Sequence, residues 1–450
     1  MRRFPLLFSL ALTLAAVSAP GASAKSLAIP VLAVVLPSLP IEPSLQAAAQ
    51  LDPKSTVRVI IQKANPLADS WSVAKSAKGK LVEDFSVIPA FTADLKLGYV
   101  LALATNPDVR YVSLDAVVKQ KASVDSTKLA TTYPQDVAAP AVWNAPGATG
   151  ATGLGVTVAV IDTGLDLTHP DFHGNVSAVN VNLTASSTRD GYGHGTHVAG
   201  IIAASNPTGQ YIGVAPNAHV IGVKIADDSG NAYESDLLRG LDWVYLNQSA
   251  QHIRVVNLSV GSSVPGSYAY SPTDAAVEHL WHNGVTVVVA AGNLGSAPDA
   301  VSYAPANDPY VITVGCLDDN LTASTTSDDS LCPISSRGIT QDGFAKPDVI
   351  APGRKVASTL ASGVTVLGQQ YPTRVTPDGR HLRLSGTSMA APVVSGMVAL
   401  LLERFPNLTP DQIKNILSGS ALPYPGEPDH AGVVNAVAAF NKAPNAPSAP

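Results

Sequence analysis

Charge and cysteine are both scarce in this chain. Of its 450 residues, 28 are Lys or Arg and 34 are Asp or Glu, so charged residues make up 14% and the net charge is −6. No long basic run occurs, and nucleic-acid binding is not expected. Two cysteines are too few for a disulfide-stapled scaffold or a four-cysteine zinc site. Hydrophobic residues make up 46%, which excludes a wholly disordered chain.

No hydrophobic run of this sequence is long enough to span a membrane. The run at residues 6–17 is followed by a small-residue A-x-A site that ends at Ala24. It is much shorter than the roughly 20 residues of a membrane span, and two arginines precede it, as in a secretory signal. A second run at 28–39 is interrupted by prolines. We predict a signal peptide at 1–24, a linker at 25–53, and secretion to the extracellular space or the periplasm.

The periodicity of apolar residues changes along the chain. Between 54 and 120, two strand-like segments flank a helix-like one, which predicts a small α+β domain. A polar linker is predicted at 121–134, and a disordered Pro/Ala-rich tail at 442–450. Between them, at 135–441, apolar strands alternate with helices, a pattern that predicts an α/β domain whose mainly parallel sheet is covered on both faces. Its strands are predicted at 156–161, 219–225, 255–260, 285–291 and 311–314, and helices at 198–204, 234–246 and 274–282.

The two cysteines lie on either side of a polar stretch, at Cys316 and Cys332. In an oxidising compartment they would close a single loop with a disulfide. The alternative is two separate buried thiols. Neither cysteine has a neighbouring histidine that would make it a nucleophile.

Three short motifs place an acid, an imidazole and a hydroxyl at the ends of predicted elements. Asp162 ends the first strand of the α/β domain, His194 stands between two glycines, and Ser388 precedes an apolar helix-like stretch. Taken singly, each motif could have a simpler role: a strand-ending turn, a metal ligand paired with His197, or a helix N-cap. The metalloprotease alternative lacks the acidic residue that such a helix carries between its histidines.

Together these residues form a set for nucleophilic catalysis. A serine hydroxyl is a weak nucleophile and needs a base with a pKa near 7, which imidazole supplies. The imidazole in turn needs a carboxylate to hold its tautomer and to stabilise its charged form. Asp162, His194 and Ser388 supply these groups in the chain order Asp, His, Ser, one of three unrelated orders known for such triads.

The chain resembles the subtilisin-like serine peptidases, or subtilases, over roughly residues 135–440. The matching segments are VAVIDTG at 158–164, HGTHVAG at 194–200, KPDVIAPG at 346–353 and GTSMAAP at 386–392. The sister family that carries glutamate in place of the histidine does not fit, because His194 is present. The resemblance implies a three-layer subtilisin-like fold and a secreted serine endopeptidase that cleaves peptide bonds in proteins through an acyl-enzyme.

The resemblance also implies the rest of the site. Asn293 would donate its side-chain amide to the oxyanion, together with the backbone N–H of Ser388. Two segments would bind an extended substrate and wall its primary pocket. They consist of Ser259, Val260 and Gly261, and of Ala290, Ala291 and Gly292. Because Leu294 stands where a charge could have been, we predict an uncharged pocket that favours apolar or medium-sized side chains.

No cofactor is required for this chemistry, but subtilases often hold structural Ca²⁺ through oxygen ligands. By resemblance, Asp171 and Gln135 would be ligands. The loop at 205–211 that should complete the site lacks a clear match to the family, which leaves the alternative that Asp171 is an ordinary turn residue.

The region 54–120 resembles a subtilase propeptide in size, position and strand content. It would act as an intramolecular inhibitor and chaperone, with self-cleavage between residues 121 and 134. The alternative is an N-terminal domain that stays attached. We expect a monomer whose partners are protein or peptide substrates and its own propeptide, with no nucleic acid and no membrane. Two other functions remain open: a catalytically silent subtilase fold used for binding, and a serine hydrolase or peptide ligase on the same scaffold.

Overall fold

The computed structural model describes residues 40–120, 131–143, 150–205, 210–322, 325–425 and 431–445. The predicted signal peptide lies outside these ranges, as do residues 25–39 and 121–130 of the two predicted linkers and residues 446–450 of the predicted tail. Within the described ranges, no helix combines the length and the apolar character that crossing a membrane requires.

An N-terminal unit is built from four antiparallel strands and three short helices. Its elements are α1 (Pro43–Leu51), β1 (Thr56–Lys63), α2 (Ser70–Ser76), β2 (Lys80–Phe85), β3 (Ala90–Lys96), α3 (Leu97–Leu103) and β4 (Val109–Leu114). The strand order is β2-β3-β1-β4. Successive side chains of a strand point to opposite faces. Accordingly, Val59 and Ile61 pack into the unit's own core, whereas Ile60 joins the core of the following domain. The unit is therefore docked through one face of its sheet.

The predicted linker at 25–53 needs correction, because helix α1 lies inside it. Ile41 and Leu45 are buried in the core of the N-terminal unit. The Glu42 carboxylate accepts a 2.8 Å hydrogen bond from the backbone N–H of Leu114 on β4. The compact unit therefore begins well before residue 54. The sequence signal is weak because this helix is short and has only two buried residues, Leu45 and Ala49.

A larger α/β domain follows. Its strands, numbered with the preceding segment, are β5 (Val117–Gln120), β6 (Thr157–Asp162), β7 (Val176–Asn180), β8 (His219–Lys224), β9 (Ala232–Tyr233), β10 (Ile253–Leu258), β11 (Val260–Gly261), β12 (Thr286–Ala290), β13 (Ile312–Asp318), β14 (Ser330–Leu331), β15 (Gly338–Ile339), β16 (Ala345–Lys346), β17 (Val349–Pro352), β18 (Val356–Thr359) and β19 (His381–Leu384). Its helices are α4 (Tyr133–Asp136), α5 (Ala139–Trp143), α6 (His194–Ala203), α7 (Glu234–Asn247), α8 (Pro272–His282), α9 (Val366–Gln370), α10 (Thr387–Arg404), α11 (Pro410–Ser420) and α12 (Ala436–Lys442).

The main sheet has the strand order β14-β13-β12-β10-β6-β8-β7, with β17 beside β13. All of its pairings are parallel except that of β13 with the short edge strand β14. Helices α6 and α10 pack together, and so do α7 and α8. Strands β6 and β12 are buried along their whole length, as expected for a parallel sheet covered on both faces. The predicted three-layer α/β fold and its strands and helices are confirmed.

Strand β5 joins the N-terminal unit to the α/β domain through backbone pairing. It runs antiparallel to β11 on one side and to β9 on the other. Just before it, the carboxylate of Asp115 accepts hydrogen bonds of 2.5 Å from both the backbone N–H and the hydroxyl of Ser235, in the first turn of α7. The segment that follows the N-terminal sheet is therefore held in a groove of the α/β domain.

The two cysteines of the chain are paired. Cys316 and Cys332 form a disulfide that closes a loop with a sequence separation of 16.

The predicted start of the tail, residue 442, is wrong, because Lys442 ends α12 and is followed by a 3₁₀ turn, Ala443–Asn445, in which Ala443 is buried. The ordered domain therefore reaches at least residue 445.

We expect loss of the disulfide to destabilise the α/β domain. A crosslink over a loop of this length contributes about 3 kcal/mol, mainly because it restricts the unfolded chain. A Cys316→Ala/Cys332→Ala variant should lose about that much free energy of unfolding in a denaturant titration, with Ser388→Ala in both chains to prevent any self-digestion. Reductant should lower the stability of the parent to that of the variant. Equal denaturation midpoints without reductant would contradict the prediction.

Candidate active site

The carboxyl end of β6 places Asp162 inside the protein. The side chain of Asp162 is only 1% exposed. Its Oδ1 accepts a 2.7 Å hydrogen bond from the backbone N–H of Thr163. The Nδ1 atom of His194 lies 2.8 Å from Oδ1 and 2.9 Å from Oδ2 of the same carboxylate. A buried carboxylate facing Nδ1 holds the imidazole in the tautomer that leaves Nε2 unprotonated, which is the form a general base requires.

Glycines on both sides of His194 allow this contact. His194 is the first residue of α6, and Gly193 before it has a φ of 99°, a conformation that suits glycine. A Cβ on Gly195 would lie 2.3 Å from the carbonyl oxygen of Gly164, so no larger residue fits without displacing the backbone. The helix can therefore approach the turn that follows Asp162 closely enough for the imidazole to meet the carboxylate.

The electrostatic surroundings of His194 favour its protonated form. Complete burial lowers its pKa, but the charge of Asp162 and the hydrogen bond to it outweigh burial, and the charge of Asp190 adds to them, so the net effect is a raised pKa. A histidine whose cation is stabilised in this way can accept a proton from a nucleophile and hold it while charge develops. Within the described residues, Nε2 of His194 is buried and has no hydrogen-bond partner.

Ser388 lies in the first turn of α10, directly beside β10 and β11. Its hydroxyl donates a 3.3 Å hydrogen bond to the carbonyl of Ser259, and the hydroxyl of Ser259 donates a 3.0 Å bond back to the carbonyl of Ser388. These two hydrogen bonds, each from a hydroxyl to a backbone carbonyl, therefore hold Ser388 against Ser259. In this structure its hydroxyl donates to Ser259, while Nε2 of His194 has no hydrogen-bond partner among the described residues.

The side chain of Asn293 is oriented by α10. Its Oδ1 accepts a 3.0 Å hydrogen bond from the backbone N–H of Thr387 and a 3.3 Å bond from the Thr387 hydroxyl. The same hydroxyl accepts a 3.0 Å bond from the backbone N–H of Gly292. Because the oxygen of the carboxamide is held by Thr387, its nitrogen is turned to the opposite side. Asn293 and the start of α10 are thereby fixed relative to each other, as a preorganised donor requires.

The two segments predicted to bind substrate lie at the ends of neighbouring strands. Ser259, Val260 and Gly261 follow β10, and Ala290, Ala291 and Gly292 end and follow β12, its parallel neighbour. All are buried. Val260 pairs with Gln120 and Gly261 with Lys119 of β5. An extended chain therefore already lies along the edge formed by β11, which begins directly after Ser259, the residue hydrogen-bonded to Ser388.

Three residues that no sequence motif singles out support this arrangement. Asp190 accepts hydrogen bonds from the Thr163 hydroxyl at 2.8 Å and from two backbone N–H groups at the start of α6 at 2.7 and 2.8 Å. Buried Lys224 donates to the carbonyl of Thr163 at 3.0 Å. Asn257 donates to the hydroxyl of Ser259 at 3.1 Å. These are ordinary polar residues in the sequence, and only their burial marks them.

The two predicted calcium ligands have other polar partners in the structure. Oδ2 of Asp171 lies 2.8 Å from Nε2 of His381, and both side chains are fully buried. Nδ1 of the same imidazole lies 2.9 Å from Asp378. In the amide orientation that satisfies its neighbours, the side-chain nitrogen of Gln135 donates 3.0 Å hydrogen bonds to the carbonyls of residues 131 and 132. Asp171 thus faces a histidine, because β19 brings His381 to it.

The described part of the chain contains no cluster of three or more His, Cys, Asp or Glu side chains arranged to hold a metal ion. The alternative that His194 and His197 share a metal ligand role also receives no support. Nε2 of His197 lies 2.9 Å from the carbonyl oxygen of Leu382, and burial lowers its pKa to about 3. His197 is therefore a neutral core residue that ties α6 to β19.

Comparison with known proteins agrees with this geometry. The model of the subtilase family, peptidase S8, matches residues 153–439. Serine protease AprX of Bacillus subtilis is 39% identical over 299 residues, which cover 63% of this chain and 66% of AprX. Subtilisin E of the same organism is 32% identical over 356 residues, which cover 79% of this chain and 81% of subtilisin E.

Two solved structures of subtilisin-like proteins are also similar to this chain. Fervidolysin from Fervidobacterium pennivorans, a keratinolytic enzyme related to subtilisin, aligns with a TM-score of 0.65 and 28% identity, over 86% of this chain and 61% of that one. A cold-adapted subtilisin-like serine proteinase aligns with a TM-score of 0.51 and 30% identity, over 69% of this chain and 99% of that one. This chain thus spans about two thirds of AprX and less of fervidolysin. The family match covers most of the α/β domain, including Asp162, His194 and Ser388, and the chain therefore belongs to the subtilase family of serine peptidases.

Proposed function

We propose that this chain is a secreted serine endopeptidase that cleaves protein substrates and is made as a self-processed precursor. The observation that carries the proposal is the buried Asp162–His194 pair at the end of β6, together with the packing of α6, which begins with His194, against α10, which carries Ser388 in its first turn. A fully buried carboxylate paired with an imidazole is costly to maintain and suits a base that must act on a neighbouring hydroxyl.

The proposed reaction has two half-reactions on Ser388. In acylation, Oγ forms an ester with the carbonyl carbon of the substrate while His194 takes the hydroxyl proton. The carbon–nitrogen bond then breaks, and the proton passes from His194 to the leaving amine. In deacylation, water gives a proton to His194 and attacks the ester carbonyl. The bond between that carbon and Oγ then breaks, His194 returns the proton to Oγ, and the carboxylic acid leaves. Asp162 stays ionised throughout and keeps Nδ1 protonated.

Asn293 is proposed to stabilise the oxyanion of both steps, with the backbone N–H of Ser388 as the second donor. Support comes from the hydrogen bonds that hold Oδ1 of Asn293 on Thr387, because they fix the direction of the amide nitrogen. The first backbone N–H groups of a helix lack intrahelical partners, so the start of α10 is a suitable place for a donor. The primary pocket between the 259–261 and 290–292 segments is proposed to take uncharged side chains.

The N-terminal unit is proposed to be the propeptide. Strand β5 occupies the edge at β11 that an extended substrate would use, in the manner of strand addition. The unit also buries Asp115 against the start of α7, and Gln62 donates a 2.8 Å hydrogen bond to the carbonyl of Tyr270. An inhibitor that fills the substrate edge and makes these further contacts with the peptidase domain would keep the precursor inactive.

We expect the precursor to process itself between residues 121 and 134. The purified chain without residues 1–24 should lose its N-terminal unit over time, as followed by intact mass. The matched Ser388→Ala chain should keep its full mass, because it lacks the nucleophile. If both chains are cut alike, an outside protease is responsible and self-maturation is wrong. If neither is cut and the parent does not react with a covalent serine reagent, the chain is a silent binding fold.

Replacing Asn293 with alanine should slow the chemical step and leave substrate binding nearly unchanged. The expected loss is about 10²–10³-fold in kcat, the range known for the corresponding donor of subtilisin. The measurement is turnover of a peptidyl p-nitroanilide, with active sites counted by a covalent serine reagent. Asn247→Ala, on the far end of α7, is the matched control. A loss confined to KM would contradict an oxyanion role.

The precursor should become less stable as the pH rises from about 5 to 8, partly because of Glu234. Burial, with a smaller effect of Glu42 and Asp115, raises the pKa of Glu234 to about 8 from an ordinary 4.5. Its protonated form is favoured in the folded chain, so its contribution is fully present below about pH 4.5 and is lost through pH 8. Glu234→Gln in a Ser388→Ala background should flatten the fall in Tm over this interval. An unchanged slope would contradict the prediction.

A further inference from the structure

A hydroxyl next to the Asp162–His194 pair lies between two buried carboxylates. Thr163 directly follows Asp162, and its Oγ1 lies 3.2 Å from Oδ1 of Asp162 and 2.8 Å from Oδ1 of Asp190. Thr163 and both acidic residues are at most 1% exposed. A hydroxyl has a single proton to donate, so the two carboxylates compete for it. The shorter distance indicates that Thr163 donates to Asp190.

The hydrogen-bond partners of Asp190 in the described part of the chain are donors. Besides the Thr163 hydroxyl, its Oδ1 accepts a 2.7 Å bond from the backbone N–H of Gly193, and its Oδ2 accepts a 2.8 Å bond from that of Thr196. Burial raises the pKa of Asp190, although these hydrogen bonds oppose burial. Because a proton on either oxygen would face another donor, the site suits the ionised carboxylate.

Asp190 and Thr163 also hold the start of α6. Gly193 precedes His194 and Thr196 follows it by two positions, so Asp190 holds the chain on both sides of the imidazole. Between them, the backbone N–H of residue 195 donates a 2.9 Å hydrogen bond to Oγ1 of Thr163. The N–H groups at the start of a helix have no intrahelical partner and need such acceptors. The two side chains therefore fix the backbone that carries His194.

Loss of Asp190 would free the Thr163 proton for Asp162. Oδ1 of Asp162 already accepts a hydrogen bond from the backbone N–H of Thr163 and faces Nδ1 of His194. A further hydrogen bond to this carboxylate would stabilise its charge and weaken its interaction with the imidazole. The cation of His194 would then be less favoured, and His194 would be a weaker base toward a nucleophile.

The negative charge of Asp190 acts on His194 in the same direction. Burial lowers the pKa of His194, but Asp162 more than offsets burial, and the charge of Asp190 raises the pKa further. Removing this charge would therefore also favour the neutral imidazole. Through the Thr163 proton and through its own charge, Asp190 makes His194 hold a proton more strongly.

Other ionisable side chains near this pair are Arg189 and Tyr192 beside Asp190, His197 on α6, Lys224 on β8, and Asp166 next to Thr196. Burial lowers the pKa of His197 to about 3 and raises that of Tyr192 above its ordinary 10. Despite its partial burial, hydrogen bonds lower the pKa of Asp166. Lys224 forms an ion pair with Asp228. His197, Tyr192 and Asp166 therefore keep one charge state between about pH 5 and 9.

We propose that Asp190 is a positioning residue: it takes the hydroxyl proton of Thr163, leaves the Asp162 carboxylate to His194, and fixes the start of α6. Asp190 is fully buried and acts through Thr163 and the backbone. The inference rests on the proposed peptidase activity. It adds that a second carboxylate controls how strongly the Asp162–His194 pair holds a proton.

The test compares Asp190→Asn, Thr163→Val, both together, and Thr163→Ser. Asparagine replaces one acceptor of Asp190 with a donor, valine removes the hydroxyl of Thr163, and serine keeps it. The matched control is Glu403→Gln. The Glu403 carboxylate also accepts three hydrogen bonds, from the backbone N–H groups of residues 152–154. It lies near the far end of α10, about 22 Å from Ser388 along the helix.

The first measurement uses Ser388→Ala chains, so that neither activity nor maturation is needed. NMR follows the titration of His194, whose signal is assigned through a His194→Gln chain. We expect the pKa of His194 to fall in Asp190→Asn. It should fall less when Thr163→Val is also present, because no hydroxyl proton is then left to move to Asp162. Thr163→Ser and Glu403→Gln should resemble the parent. Equal falls with and without the Thr163 hydroxyl would overturn the proposal, as would no fall at all.

The second measurement is the pH dependence of kcat/KM of the matured enzymes with the peptidyl p-nitroanilide. A base must be unprotonated to act, so the lower pKa of His194 in Asp190→Asn should move the acid limb to lower pH. The plateau kcat should fall about 10–10²-fold, because the imidazole is less well placed. A lower plateau with an unmoved acid limb would leave Asp190 a merely structural role and contradict the proposal. If the parent shows the expected NMR titration but hydrolyses no substrate, the proposed function fails instead.

Discussion

The site depends first on a buried negative charge. Asp162 lies at the end of a strand that is buried along its length, where an ionised carboxylate costs several kcal/mol unless it is paired and hydrogen-bonded. The Thr163 backbone and His194 meet that requirement. To bring His194 within reach, α6 must start against the turn at Gly164, and only a glycine at position 195 leaves room. The position of α6 thus follows from the need to give the buried carboxylate of Asp162 a hydrogen-bond partner.

The nucleophile is positioned in a different way, by neutral hydrogen bonds to rigid elements. Ser388 is tied to Ser259 in both directions, and the neighbouring Thr387 is tied to Gly292 and Asn293. All of these partners lie at the carboxyl ends of adjacent parallel strands, which is where open α/β sheets place their functional residues. A catalytic group held by strand ends and a helix start moves little.

Much of this could be predicted from the sequence, because it rests on local patterns. Apolar strands alternating with helices identify the sheet, and Asp162, His194 and Ser388 stand in short motifs whose combination is specific to one kind of chemistry. The N-terminal unit is harder to predict. Its small α+β character is visible, but α1 lies inside a predicted linker, since it is a short helix with only two buried residues. The face of β1 that packs against the peptidase domain could not be predicted, because it depends on the surface that the folded peptidase domain presents.

The sequence by itself determined the fold class, the order of the elements and the identity of the reacting residues, since these depend on neighbours within a few positions. Only the tertiary structure decided that Asp171 would face His381, across 210 positions of sequence. It also decided that Asp190 supports α6 and that residues 366–367 lie against the loop before His194. Burial and approach between distant segments create these contacts, and no local pattern encodes which polar residue will be enclosed or which partner it will meet.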